Sequence, residues 1–300
     1  MKAAVIGIGS NSVRSLLVDA GEGAFTRLLR DREGTRLFAG LDDEGNLSRD
    51  SMDKTVSAVR RMASEARTRG AEKIEIFATS AARDAANGKE FMDSVCRETG
   101  TPLTIISGEE EAELSFLGAS AAVSADRCGM IDIGGGSTEI AVSRNGKLVY
   151  LKSIPIGAVV LTEKCGQDYN AVLFNARREL KEFGEVAKIL QGEPYCIGGT
   201  CTSLAAVAQK LAVYDPERVN GYKFTAEEIS GLAARISSLS VEERKGLTGM
   251  QKERADIIHA GACIFQAVAE IIGAKTFTVS ESDNLEGYLN YKRRENEQKN

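Results

Sequence analysis

Two stretches of this chain combine glycine, hydroxyl and carboxylate residues in a pattern suited to phosphate chemistry, and they stand about 125 residues apart. The first is Gly7-Ile8-Gly9-Ser10-Asn11-Ser12, which leaves the apolar run Ala4-Val5-Ile6. The second is Asp132-Ile133-Gly134-Gly135-Gly136-Ser137-Thr138-Glu139, which leaves Met130-Ile131. Superposed, Gly7 falls on Asp132, Ile8 on Ile133 and Gly9 on Gly134, so the two stretches read as copies of one device. Glycine lets a backbone turn sharply and lets another group approach closely, and successive free N–H groups in such a turn form an anion-binding concavity. Gly9, Ser10, Asn11 and Ser12 on one side, and Gly134, Gly135, Gly136, Ser137 and Thr138 on the other, are therefore expected to clasp phosphate between two halves of a duplicated fold. Asp132 ends an apolar strand where packing does not account for a carboxylate, and a Mg²⁺ role, direct or through water, is expected for it. Glu139 reads either as a second metal-side carboxylate or as a strand residue facing solvent.

Other candidates are spread along the chain. Ser107-Gly108-Glu109-Glu110-Glu111 opens a helix. Glu110 sits three residues after Ser107, the spacing of a capping box, and Glu111 belongs to the same acidic cluster. Arg83 follows a small-residue turn at a strand end, where its planar fork could grip phosphate or form a surface ion pair. Arg14 alternates with Val13 and Leu16 and reads as a strand-face residue. Gly198, Gly199 and Thr200 form a third strand–glycine–helix junction, open to a distal phosphate or a nucleotide.

These residues need a scaffold to hold them. Along the first half, expected strands at 4–8, 13–18, 25–29, 35–39, 74–79 and 103–106 alternate with helices at 52–66, 91–97 and from 107. Met52, Val56, Val59, Ala63 and Ala66 step at helical spacing before Gly70. The second half restarts with the Asp132 strand and a hairpin through Asn145-Gly146. Helices are expected over 161–190, 226–239 and 252–272, with a strand at 276–280 and a charged closing helix end carrying Lys292-Arg293-Arg294. The duplication places the boundary between halves near residue 120.

Composition narrows the chemistry. The 300 residues, 43% of them hydrophobic, suit one large or two modest α/β domains. The one histidine, His259, lies in an apolar helical stretch and reads as structural, so a histidine-based zinc site or nucleophile–histidine pair is not expected. Acid–base work then falls to carboxylates. Six cysteines form no C-x-x-C pair and read as core thiols. A net charge of −5 speaks against nucleic-acid binding. Without a signal peptide pattern or an apolar run of membrane-spanning length, a cytoplasmic setting is expected.

The chain resembles the exopolyphosphatase/guanosine pentaphosphate phosphohydrolase (Ppx/GppA) family almost end to end. The resemblance is carried by Gly9-Ser10-Asn11-Ser12, Ala78-Thr79-Ser80-Ala81-Ala82-Arg83, Ile106-Ser107-Gly108-Glu109-Glu110-Glu111-Ala112, the ten residues ending at Glu139, Ile156-Gly157-Ala158-Val159, Gly198-Gly199-Thr200 and Arg254-Ala255-Asp256. It implies an α/β fold of two duplicated ribonuclease-H-like domains, of the actin and sugar-kinase superfamily, around an interdomain cleft. The domains would cover 1–120 and 121–300, with the last helix packing back on the first. The implied activity is Mg²⁺-assisted release of terminal phosphate from inorganic polyphosphate, from guanosine pentaphosphate, or from both, by a homodimer. Glu110 would be the base or orienter of the attacking water, Glu111 a secondary candidate, and Arg83 the residue steadying the substrate. A catalytically weakened polyphosphate or alarmone-binding protein, or a kinase of the same superfamily, are the alternatives. Family members carry Asp where Gly7 stands and often Arg where Val160 and Leu285 stand; the Asp would orient metal.

Overall fold

The structure, a computed structural model, describes residues 1–21, 25–38, 41, 42, 44–121, 129–145 and 147–299. The chain divides into two compact units, Met1–Glu111 with Tyr288–Asn300, and Ala112–Gly287. The division falls between Glu111 and Ala112, within the helix Gly108–Ala121, and the closing segment from Tyr288 groups with the first unit.

Each unit is built on one mixed sheet. In the first unit the strands are β1 (Lys2–Ile8), β2 (Ser12–Ala20), β3 (Phe25–Gly34), β4 (Lys73–Ala78) and β5 (Leu103–Ile105), in the order β3-β2-β1-β4-β5. β1, β2 and β3 form an antiparallel meander, while β4 and β5 continue parallel to β1. In the second unit the strands are β6 (Gly129–Ile133), β7 (Thr138–Arg144), β8 (Lys147–Ile154), β9 (Tyr195–Ile197), β10 (Lys223–Thr225) and β11 (Thr276–Val279). Their order is β8-β7-β6-β9-β11-β10: the same antiparallel meander, the same parallel continuation through β9 and β11, and one added antiparallel edge strand, β10. Two sheets of one topology in one chain are a duplicated ribonuclease-H-like fold.

Strand alternation explains which residues face which layer. Ile6 and Ile8 of β1 and Ile76 of β4 point into a core with Val56, Val59 and Met62 of the helix Arg49–Thr68 and Phe91 and Val95 of the helix Gly88–Thr99. Ile131, Ile133, Ile140 and Val142 do the same in the second unit against Leu204, Phe265 and their neighbours. The opposite face there packs Met130, Ala141 and Ile197 on Phe116 and Ala119 of the helix Gly108–Ala121. The final helix, Asn284–Lys299, lays Tyr288 flat on Phe77, ring centroids 4.9 Å apart.

Two expected elements differ. Residues 35–38 do not form a strand; Arg36 takes φ +53°, and the amides of Thr35 and Arg36 bond Asn11 O while that of Phe38 bonds Ser10 O, so the segment braces the first glycine loop. The helix expected over 252–272 is a 3₁₀ turn, Lys252–Arg254, followed by a helix starting only at Ile258. Gly146 of the expected hairpin turn and Cys128 lie outside the described residues; the other five cysteines are free thiols, three of them buried.

His259 is fully buried, with Nε2 on Gly166 O. Burial is the main reason its pKa falls to about 4. The neutral ring is thus favoured in the folded state, so its contribution is complete above pH 6.5 and is lost as pH falls towards 4, a total of about 3 kcal/mol. Denaturant unfolding of His259→Gln should show a correspondingly flatter loss of stability over pH 6.5–4 than the wild type. Where the helices Gly108–Ala121 and Asn284–Lys299 meet, a Cβ on Gly118 would fall 1.8 Å from Asp283 O and one on Gly287 would fall 1.7 Å from Leu114 O. Gly287→Ala should therefore lower unfolding free energy by about 3 kcal/mol, read from thermal or urea melts.

Candidate functional site

The glycine loops follow the first strand of each sheet and are closed by the same hydrogen bond. Gly9 N donates to Ser12 O at 3.0 Å, and Gly134 N donates to Ser137 O at 3.0 Å. This bond turns the chain back into the second strand and confines the intervening residues to a tight arc. In the first unit, Ser10 Oγ lies 2.9 Å from Ser80 Oγ, which joins the loop to the first residue of the helix Ser80–Asp84 that follows β4. Asn11 is buried, and its Nδ2 has no hydrogen-bond partner. Arg32 Nε reaches Ser12 Oγ at 3.3 Å. In the second unit, the carbonyls of Gly134 and Gly135 accept the amides of Ala158 and Val159 at the start of the helix Ala158–Cys165. Gly157 is required for this contact, since a Cβ there would lie 2.3 Å from Gly135 O. The carbonyl edge of the loop is thereby turned towards that helix.

Asp132 and Glu139 face each other across β6 and β7, and Glu139 faces Ser153 of β8 in the same row. Both acids are buried. Ser115 Oγ donates to Asp132 Oδ2 at 2.8 Å, and Ser153 Oγ donates to Glu139 Oε1 at 2.7 Å. The solvent-facing alternative for Glu139 is therefore wrong: β8 and the layer covering that face enclose it. Gly198, at φ +84°, stands where only glycine fits, because a Cβ there would lie 2.4 Å from Asp132 Oδ1. Among the described residues no cluster of three metal-ligating side chains occurs. Two adjacent carboxylates nonetheless suit Mg²⁺, which is commonly held by one or two carboxylates while keeping water and phosphate oxygens.

The same row in the first unit carries different chemistry. Gly7 faces Arg14 across β1 and β2, and Arg14 faces Arg32 of β3. Gly7, Arg14 and Arg32 thus occupy the register of Asp132, Glu139 and Ser153. Arg14 stands where the second unit has Glu139, and Arg32 where it has Ser153.

The acidic helix start separates its members. Ser107 N donates to Glu110 Oε2 at 2.7 Å and Glu110 N donates to Ser107 Oγ at 3.1 Å, a complete capping box with Glu110 exposed. In this geometry the Glu110 carboxylate, expected to perform the chemistry, is folded back on the backbone that it caps. Glu111 is buried instead, with Oε2 3.8 Å from Arg83 Nη1. Arg83 is fixed by bonds from Nη1 to Ile106 O and from Nε to Asp84 Oδ1, both at 3.1 Å.

Two further candidates are engaged by the fold. Thr138 is fully buried and gives its hydroxyl proton to Ile156 O at 2.6 Å, so that proton is committed to the fold. Thr200 is buried against Gly261, where an added Cβ would lie 2.6 Å from Thr200 Cγ2; the turn of the helix Gly198–Ala208 carries it inward. Gly199, by contrast, lies under Arg254, for a Cβ on it would sit 1.7 Å from Arg254 Nη2. Arg254 is itself buried, with Nε bonded to Gln251 Oε1 at 3.1 Å. Sequence reasoning assigns no role to Arg254, and only its place in the Arg254-Ala255-Asp256 motif could have drawn attention to it. Ser115 carried no signal at all, and Ser80 only its place in the motif Ala78-Thr79-Ser80-Ala81-Ala82-Arg83.

Comparison with known proteins places this geometry in context. The model of the Ppx/GppA phosphatase family matches residues 16–292. Exopolyphosphatase 2 of Mycobacterium tuberculosis is 32% identical over 311 aligned positions, which cover 95% of this chain and 97% of that protein. The crystal structure of the Aquifex aeolicus Ppx/GppA family member superposes with a TM-score of 0.81 at 29% identity, covering 99% of this chain and 98% of that one. A solved exopolyphosphatase-like protein superposes with a TM-score of 0.90 at 25% identity, covering 98% and 99%.

The capping assignment has a direct consequence for stability. Glu110→Ala should remove one cap bond and lower unfolding free energy by about 1 kcal/mol, measured by denaturant titration.

Proposed function

The chain belongs to the Ppx/GppA phosphatase family, and from that premise we propose that it transfers terminal phosphate to water from inorganic polyphosphate, from guanosine pentaphosphate, or from both. The name of the M. tuberculosis relative, an exopolyphosphatase, supports polyphosphate. The observation that carries the reading is the pair of buried carboxylates, Asp132 and Glu139, side by side at the mouth of the glycine loop. Adjacent like charges disfavour ionisation of both unless a cation or donors compensate. Asp132 and Glu139 would hold Mg²⁺, which when bound neutralises phosphate charge.

Phosphoryl transfer has a loose transition state, so the protein's contribution is positioning and charge stabilisation. The main-chain amides of Gly135, Gly136 and Ser137 would receive phosphate oxygens, as would those of Ser10 and Asn11 in the first loop, with the Asn11 side-chain amide a further donor. Arg254 would add a planar fork of donors over Gly199. Glu111 replaces Glu110 as the group that orients and deprotonates water, with Arg83 holding the carboxylate in place and facing the substrate. The first unit's row of Gly7, Arg14 and Arg32 would present cation to phosphate directly, leaving the metal to the carboxylates of the second unit. The family likeness also supports a homodimer and a cytoplasmic setting.

The test is phosphate release from both substrates, with Mg²⁺ and after its removal by chelation. Removal should abolish release and re-addition restore it. Glu111→Gln should slow release by about 10³-fold, while Glu110→Gln should stay within about fivefold of wild type. Equal losses in the two variants would sink the assignment of Glu111.

A further inference from the structure

Arg244 is the largest fully buried side chain of the described residues, only 1% exposed. Its guanidinium gives Nε to Ile236 O at 2.7 Å, and gives Nη1 to Gln167 Oε1 and, at 3.3 Å, to Ala255 O. Taking a guanidinium out of water costs several kcal/mol, and an apolar side chain of similar volume commonly fills such a space at no loss. Core filling therefore does not explain this residue.

What the bonds specify is a backbone path. Ala255 immediately follows Arg254, and Gln167, held by Arg244, donates its Nε2 to the next carbonyl, Asp256 O, at 3.1 Å. Two consecutive carbonyls just after Arg254 are thus gripped from one side. On the other side the turn is closed by Arg254 N on Gln251 O at 2.8 Å and Ile257 N on Arg254 O at 3.0 Å. The loop that carries Gln167 is itself pinned by His259 Nε2 on Gly166 O at 3.0 Å. The segment so fixed is the 3₁₀ turn that interrupts the expected helix, and its product is the placement of the Arg254 guanidinium directly on Gly199.

We propose that Arg244, with Gln167, is a positioning residue that sets Arg254 against the Gly198-Gly199 junction for phosphate binding. This rests on the reading of Arg254 as a phosphate ligand given above. A guanidinium misplaced by even 1 Å loses bidentate geometry, so the clamp acts on substrate affinity without touching substrate.

A double-mutant cycle on polyphosphate hydrolysis tests it, with kcat and KM measured for wild type, Arg244→Met, Arg254→Ala and the double variant, and folding followed by thermal melts. Arg254→Ala should raise KM by about tenfold, and Arg244→Met should do so by about fivefold. In the Arg254→Ala background, Arg244→Met should add less than about twofold. An Arg244→Met effect of the same size in both backgrounds, or none in either, overturns the positioning role while leaving Arg254 as a ligand. A silent Arg254→Ala overturns both. If Arg244→Met does not fold, the same cycle with Gln167→Ala, at an exposed position, should give about a threefold rise in KM that likewise vanishes without Arg254; persistence of the rise there overturns the inference.

Discussion

A single backbone hydrogen bond, from a glycine amide to the serine carbonyl three residues on, underlies both loops. Gly9 to Ser12 and Gly134 to Ser137 make it at the same place, immediately after the strand that leads each sheet. It reverses the chain into an antiparallel partner while confining the intervening residues to an arc of small radius, the geometry in which main-chain amides converge on an anion. The two units brace this arc by different means. The first uses the backbone amides of Thr35, Arg36 and Phe38, and the second uses the start of a helix at Ala158 and Val159.

Around that shared turn the units have diverged in charge. Register makes the correspondence strict: Gly7, Arg14 and Arg32 on one sheet stand for Asp132, Glu139 and Ser153 on the other. Sheet geometry brings directly opposed side chains within a few ångströms, so each row acts as one electrostatic unit. An acidic row invites a cation, and a basic row invites phosphate. The glycine at position 7 thus belongs to a change of chemistry across the whole row rather than to the loss of one isolated carboxylate.

Much of the fold was legible because it depends on periodicity and small residues. Asp132 stood out as a carboxylate that packing does not account for at the end of an apolar strand, and glycines marked the junctions after β1, β6 and β9. That Glu111 rather than Glu110 is the buried acid was not legible. Neighbouring helical residues differ by about 100° in direction, and Ser107-x-x-Glu110 predicts only that Glu110 caps, not that Glu111, on the face of Ser115 one turn later, is the buried one. Glu139 could not be placed either, because a strand's two faces are equivalent until something covers one of them. Thr138 and Thr200 have the right chemistry, yet tertiary packing commits the one hydroxyl to Ile156 O and buries the other side chain against Gly261.

By itself the sequence determined the duplication, the anion-binding character of its turns and the need for carboxylates in a chain with one buried histidine. Those properties reside in local residue type and spacing. Tertiary structure alone decided which acid meets Arg83, that Asp132 and Glu139 are both enclosed, and that Arg254 rests on Gly199. Each of those contacts joins residues distant in sequence, or depends on which side of an element is covered, and no short-range pattern encodes either.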